Sequence, residues 1–238
     1  MREQLESILT RIRMAAGRVG RNPSEITVTA VTKGVSPDRI CEFRRIAVDF
    51  GIRPVIGESY LSEWTSKMEF VDSGLEKRFI GALTPAQVPR VWRLFDVIET
   101  VGDERTIEAC VAQKKKGGNI PRLLLQVNIS ADPKKAGFCV DAVPNAMRLA
   151  HNCDLLISGF MTITEQYEAG AEAVRRDYRA MACLAADLRN SPDFFQEGFE
   201  IGRTDLSMGM SDDFEIAVEE GATHVRLGSI LFGPRAPV

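Results

Sequence analysis

The sequence predicts an α/β fold, a (β/α)₈ TIM barrel with an additional N-terminal helix, spanning residues 1–238 as one domain. Three observations carry this expectation. Short apolar runs alternate with amphipathic stretches eight times along the chain. The length of 238 residues matches the roughly 250 residues typical of such barrels. The clearest run, Arg122 to Ile129, is apolar on both faces at Leu123, Leu124 and Leu125, as a parallel strand covered on both sides is. A doubly wound open sheet shows the same alternation and is the rival architecture.

The elements follow in order. Leu5, Ile8, Leu9, Ile12, Ala16 and Val19 form one helical stripe, ended between Gly17 and Gly20; this added helix is expected to cover one end of the barrel. Ile26 to Thr32 is strand one. Ser36 caps and Pro37 opens a helix with Ile40, Phe43, Ala47 and Phe50 on one face, stopped by Gly51. Val55 to Ser59 is strand two, and Leu61, Trp64, Thr65 and Met68 face inward from its helix. Arg78 to Ala82 is strand three, and Pro85 opens a helix carrying Val88, Val91, Trp92 and Phe95. Val97 to Val101 is strand four, followed by Ile107, Cys110 and Val111. After strand five, Val140, Val143 and Met147 mark a helix. Leu155 to Ile163 is strand six, and Val174, Tyr178, Met181, Ala185 and Leu188 mark a long helix. Asp205 to Gly209 is strand seven. Ser211 caps a helix with Phe214, Ala217 and Val218, ended by Gly221, and His224 to Leu231 is strand eight.

Composition narrows the functional classes. The chain is 45% hydrophobic with a net charge of -3, so it presents no electrostatic footprint for nucleic acid or an anionic membrane. The one basic run, Lys114 to Lys116, reads as a solvated helix end before Gly117. The five cysteines are scattered and never spaced as CxxC. Cys41, Cys110, Cys139, Cys153 and Cys183 read mostly as buried thiols, not as disulfides or zinc ligands. With two histidines, His151 and His224, no metal site is expected. The charged, amphipathic N-terminus is not a signal peptide, and no run of about 18 apolar residues exists. A soluble, cytoplasmic protein is the expectation.

Chemistry is expected where barrel strands end, with phosphates after strands seven and eight. Two glycine-serine stretches lie there: LSMGMSDDFE at 206–215 and VRLGS at 225–229. Glycine lets backbone approach an anion, and serine hydroxyls add donors. Gly209 could equally be a turn, and Gly228 could relieve crowding inside the barrel. At the mouth of strand one, in ITVTAVTKGVSP, stands Lys33. A lysine at the rim of a closed barrel is partly desolvated, which lowers its pKa and exposes a nucleophilic amine. An amine facing a phosphate cradle fits pyridoxal 5′-phosphate (PLP), although a lysine paired with a carboxylate would look the same.

AVTKGVSP, QVNISADPKKAG and LSMGMSDDFEIAVEEGATHVRLGSILFG together resemble the pyridoxal phosphate homeostasis family of PLP-binding proteins, similar in fold to the N-terminal barrel of alanine racemase. The resemblance runs over nearly the whole chain. It implies that Lys33 is the Schiff-base lysine. It places Ser207, Gly209, Ser211, Gly228 and Ser229 at the phosphate, with Ser229 where the family usually has threonine. It sets Arg226 against the pyridine nitrogen and Ser59 near the ring. Asn128 and Lys135 fall in the mid-chain motif without an assigned role. An arginine there cannot give the ring nitrogen a full proton, so the electron sink is weak. Racemisation needs an acid or base on each face. Lys33 could serve one face. The alanine racemases take the other from a tyrosine in a further domain, which is not expected in a sequence ending at Val238. Of Tyr60, Tyr167 and Tyr178, Tyr60 alone follows a strand near the rim and is the catalytic candidate. These features imply a holder of PLP acting in PLP homeostasis. The alternative is a divergent PLP-dependent enzyme acting on the α-carbon of an amino-acid substrate, such as a racemase.

Three places depart from the family pattern. Ser59 replaces an asparagine, Arg78 replaces a histidine before Phe79-Ile80-Gly81, and Thr84 to Gln87 lack the usual asparagine and lysine. All three are expected near the mouth.

Overall fold

Most strands form where an apolar run is short, and the longer helices where the apolar spacing changes to 3–4. In the computed structural model, which describes residues 1–71, 73–164, 170–191 and 204–233, the strands are β1 (Thr27–Val31), β2 (Val55–Glu58), β3 (Glu76–Phe79), β4 (Val97–Val101), β5 (Arg122–Val127), β6 (Ile157–Thr162), β7 (Asp205–Ser207) and β8 (His224–Leu227). They close into one barrel in chain order, and β8 pairs in parallel with β1, Thr29 lying opposite Arg226. The closed order rules out the open sheet.

Nine helices are present among the described residues: α1 (Arg2–Arg18), α2 (Pro37–Asp49), α3 (Leu61–Lys67), α4 (Val88–Leu94), α5 (Glu104–Lys114), α6 (Val143–Asn152), α7 (Ala171–Asn190), α8 (Phe214–Glu219) and α9 (Ser229–Phe232). Pro37 opens α2 as its ring geometry favours, and Gly51 turns the chain out at φ 67°. Asp103 caps α5 by accepting from the Thr106 N–H at 2.7 Å. α7 buries Val174, Tyr178, Met181, Ala185 and Leu188 on one stripe.

Several boundaries differ from expectation. β8 stops at Leu227, four residues early, because Gly228 leaves the extended region (φ -114°, ψ -81°) and α9 begins at once. β3 begins at Glu76, whose pairing with Val55 extends the ladder below Arg78. Ser211 does not cap α8. Asp213 is the residue at its start, and its carboxylate accepts from the Met210 N–H at 2.6 Å. Only Cys110 is buried; Cys41 and Cys153 are half-buried, and Cys139 and Cys183 are exposed. Burial pushes the Cys110 thiol up to about 12.

The helix α1 lies in the outer ring and not across an end. Its Leu5, Ile8, Ile12, Ala15 and Ala16 are buried, Arg11 and Arg18 pair with Glu215 and Glu219 of α8, and Arg2 pairs with Asp49 of α2. Because α9 has four residues, α1 takes the place a full helix after β8 would occupy.

The barrel interior is largely polar. Val97, Leu124 and Met161 form one small apolar cluster, and the space around it holds Arg78, Glu99, Ser207 and Arg226, all buried.

Candidate active site

Lys33 stands in the turn after β1, half-buried. Thr32 N–H still bonds Gly57 at 2.9 Å, and Gly34 reverses the chain at φ 72°. Beside it opens a pocket of about 280 Å³ whose lining includes Val31, Lys33, Ser36, Arg39, Gly228 and Ser229. The two predicted ends of the site, the strand-one lysine and the strand-eight glycine-serine pair, therefore share one cavity. The strand-seven loop joins them: the Ser229 hydroxyl donates to that of Ser211 at 3.2 Å.

The two glycines differ in kind. Gly209 has φ 96°, and a Cβ there would lie 2.6 Å from that of Ala217. Its carbonyl also accepts from Arg226 N–H at 2.9 Å. Gly209 is therefore a backbone requirement of the loop. At Gly228 a Cβ would meet Val31 at 3.5 Å, an ordinary contact. Crowding does not call for glycine there, and the space it leaves borders the pocket.

Arg226 is 5% exposed, so its head does not reach the rim. Its Nη1 donates to Ser207 Oγ at 2.9 Å and its Nη2 to the Thr162 carbonyl at 2.8 Å. Ser207 in turn donates to Glu99 Oε2 at 2.6 Å. The Ser207 hydroxyl is thus engaged beneath Arg226 and orients that guanidinium. Tyr178 and Asp213 are hydrogen-bonded behind the strand-seven loop. Burial raises both the phenol and the carboxyl, and for Asp213 the Met210 N–H and Tyr178 oppose the rise.

Arg78 does not face the mouth. It is fully buried, with Nε on Glu76 Oε1 at 2.7 Å, Nη1 on Glu99 Oε1 at 2.7 Å and Nη2 on His224 Nε2 at 2.7 Å. Glu76 and His224 begin their strands, so the guanidinium sits toward the amino-terminal end of the barrel. An arginine only donates, so His224 Nε2 accepts. Burial alone would raise Glu76, but Arg78 and Arg122 outweigh it and hold the carboxyl below its ordinary range. Asp205 moves the other way, because burial outweighs the same two arginines.

The remaining candidates lie apart from the pocket lining. Tyr60 is 58% exposed at the start of α3, so it neither packs in the core nor lines this pocket. Tyr167 lies outside the described residues. Ser59 is half-buried and donates its N–H to Glu58 at 2.9 Å. Its carbonyl would be 1.8 Å from a Cβ at Gly81, so the ends of β2 and β3 touch backbone to backbone. Asn128 organises its own loop, bonding the Asp132 carbonyl at 2.7 Å, and Lys135 Nζ reaches Ser130 Oγ at 3.2 Å. Thr84 bonds Gln87 within an exposed turn.

Sequence reasoning missed Glu58, Lys67, Arg39 and Glu99. Glu58 and Lys67 form a buried pair at 2.6 Å beneath the Lys33 turn, and Glu63 joins it at 2.8 Å. The i,i+4 spacing of Glu63 and Lys67 was a visible signal, but it reads as a surface pair. Glu99 sits in an apolar run, VIETV, where a lone carboxylate marks a buried partner.

The chain has likenesses among known proteins. The family model "Alanine racemase, N-terminal domain" matches residues 43–236. The pyridoxal phosphate homeostasis protein of Aquifex aeolicus (strain VF5) is 31% identical, over 98% of this chain and 97% of its own length. The chain belongs to the pyridoxal phosphate homeostasis family, on an alanine racemase N-terminal barrel. Two structures of PipY of Synechococcus elongatus PCC7942 also match. The form without PLP is 27% identical with a TM-score of 0.76, covering 98% of this chain and all of PipY. The form with PLP bound is 26% identical with a TM-score of 0.68, covering 95% and 100%.

Among the described residues, no helix is long and apolar enough to cross a membrane.

Proposed function

We propose that the protein binds PLP, holds it as a Schiff base on Lys33, and serves PLP homeostasis. The observation that carries this reading is the single pocket in which Lys33 meets Gly228 and Ser229, with Ser211 bonded to Ser229. The donor set suits the group: one primary amine for an aldehyde, and hydroxyls with glycine backbone for a phosphate. PLP would supply the reactive aldehyde carbon and an anionic anchor. Ser211 and Ser229 would hold the anchor. Arg226, kept in place by Ser207 and Thr162, would present a donor to the ring nitrogen without delivering a proton.

The relative with PLP bound supports the cofactor, and the name of the curated relative supports the homeostasis role. Tyr60, outside the pocket lining, supplies no second acid-base group there, which favours holding over turnover at an amino-acid α-carbon.

The test is a spectrum of purified protein saturated with PLP, followed by borohydride reduction and peptide mapping. A visible absorption band and a pyridoxyl adduct on Lys33 are expected, both absent in Lys33→Ala. A colourless wild-type protein, or an adduct elsewhere, rejects the reading. Incubation with an amino-acid panel in heavy water should leave every Cα undeuterated; wash-in would identify an enzyme instead.

A further inference from the structure

The backbone on both sides of Lys33 is held by one buried charge cluster from the β2–α3 unit. Before it, the Thr32 carbonyl accepts from Lys67 Nζ at 2.8 Å, and the Thr32 hydroxyl reaches Glu58 Oε2 at 3.2 Å. After it, the Gly34 N–H donates to Glu63 Oε1 at 2.6 Å. Lys67 closes the cluster, 2.6 Å from Glu58 and 2.8 Å from Glu63. Glu58 is fully buried, and the Lys67 side chain is 6% exposed.

A staple serving the barrel wall alone would need no bond to Gly34, which lies beyond the end of β1. Gly34 is also the residue with least steric restraint, at φ 72°. Left alone, its peptide could rotate and carry Lys33 with it. Charge-assisted hydrogen bonds are shorter and stronger than neutral ones, and here they end on the two peptide units flanking the lysine.

We propose that Glu63 and Lys67, with Glu58, are positioning residues for Lys33: they fix its backbone so that the amine is presented to the pocket. This rests on Lys33 being the attachment lysine. Glu58 also accepts the Ser59 N–H at 2.9 Å, whereas the bonds of Glu63 and Lys67 reach none of the groups assigned to the phosphate or the ring, so a change at Glu63 falls on the covalent end.

Two probes separate that end from the rest. PLP carries the aldehyde, whereas pyridoxine 5′-phosphate keeps ring and phosphate but has an alcohol instead. Wild-type protein must first give the borohydride-trapped adduct on Lys33; its absence rejects the cofactor reading and leaves the clamp without an object. Given that adduct, Glu63→Ala should weaken PLP affinity and slow colour development by about tenfold, the loss of one charged hydrogen bond. Its affinity for pyridoxine 5′-phosphate should stay within about twofold. Glu63→Gln keeps an acceptor for the Gly34 N–H and should recover PLP affinity to within about threefold of wild type. Lys67→Met should shift in the same direction as Glu63→Ala, and if it fails to fold, the partly exposed Glu63 carries the test. Equal losses for both probes in Glu63→Ala, or no loss for either, overturns the proposal.

Discussion

The two ends of this barrel treat polar groups in opposite ways. Toward the amino-terminal end, Arg78 is sealed from solvent with its guanidinium shared among Glu76, Glu99 and His224. At the mouth, Ser229 is exposed, Lys33 and Ser211 are half-buried, and a cavity lies beside them. The lower network spends its hydrogen-bonding capacity on itself, so it contributes to a unique interior. The upper residues border open space, with Ser229 bonded to Ser211. A buried charge in this fold can therefore belong to a closed interior network, and the mouth is set apart by the cavity beside it.

Substitutions at the two ends should separate stability from binding. The largest effect is expected from Arg78→Met, which takes the ion-pair partner from the fully buried Glu99, while Glu76 keeps Arg53 and Arg122. It should lower unfolding free energy by about 3–5 kcal/mol in urea titrations. A loss below about 1 kcal/mol would show that Glu99 finds another partner. Gly209→Ala places a methyl 2.6 Å from Ala217 at φ 96°, and should cost about 1–3 kcal/mol of stability. Gly228→Ala meets only ordinary contact, so it should cost less than about 1 kcal/mol. It should nevertheless weaken PLP binding about tenfold or more by filling the pocket, a loss of about 1.4 kcal/mol. Ser229→Ala should leave stability within about 0.5 kcal/mol and weaken PLP about three- to tenfold. Pyridoxal, without the phosphate, should be nearly unaffected.

The smallest effect is a pH difference. Burial raises the Asp213 carboxyl above its ordinary 3.8. The ionised form is therefore a burden on the folded state, fully present above the raised value. It is relieved as pH falls from that value toward 3.8. Measured against Asp213→Asn, the wild-type protein should gain relative stability across that window. Opposite slopes would mean that the Met210 N–H and Tyr178 outweigh burial.

The barrel was legible because its period is a property of neighbours in sequence: strands such as Leu123 to Leu125 and stripes such as Val174 to Leu188 announce themselves locally. Lys33 was legible as a charge ending an apolar run. What escaped was set by tertiary pairing. Arg78 and Glu99 are 21 residues apart and Arg78 and His224 are 146 apart, and no spacing rule links them. Arg78 was expected at the mouth because it was grouped with Ser59 and Thr84 to Gln87 as departures from the family pattern, whereas it lies within β3 and its partners Glu76 and His224 draw the guanidinium toward the strand starts. Ser211 was expected as a helix cap because a serine before an acidic pair fits the pattern. Asp213 takes the helix start, and the Ser211 hydroxyl is left to meet Ser229. Ser207 reads the same as Ser211 in the motif, yet strand parity turns it inward to Glu99 and Arg226.

The contact between Ser59 and Gly81 has a consequence for what the rim can accept. With a carbonyl already occupying the place of a Cβ, no side chain fits at Gly81 unless the turns after β2 and β3 part. That seam is welded by the absence of a single carbon.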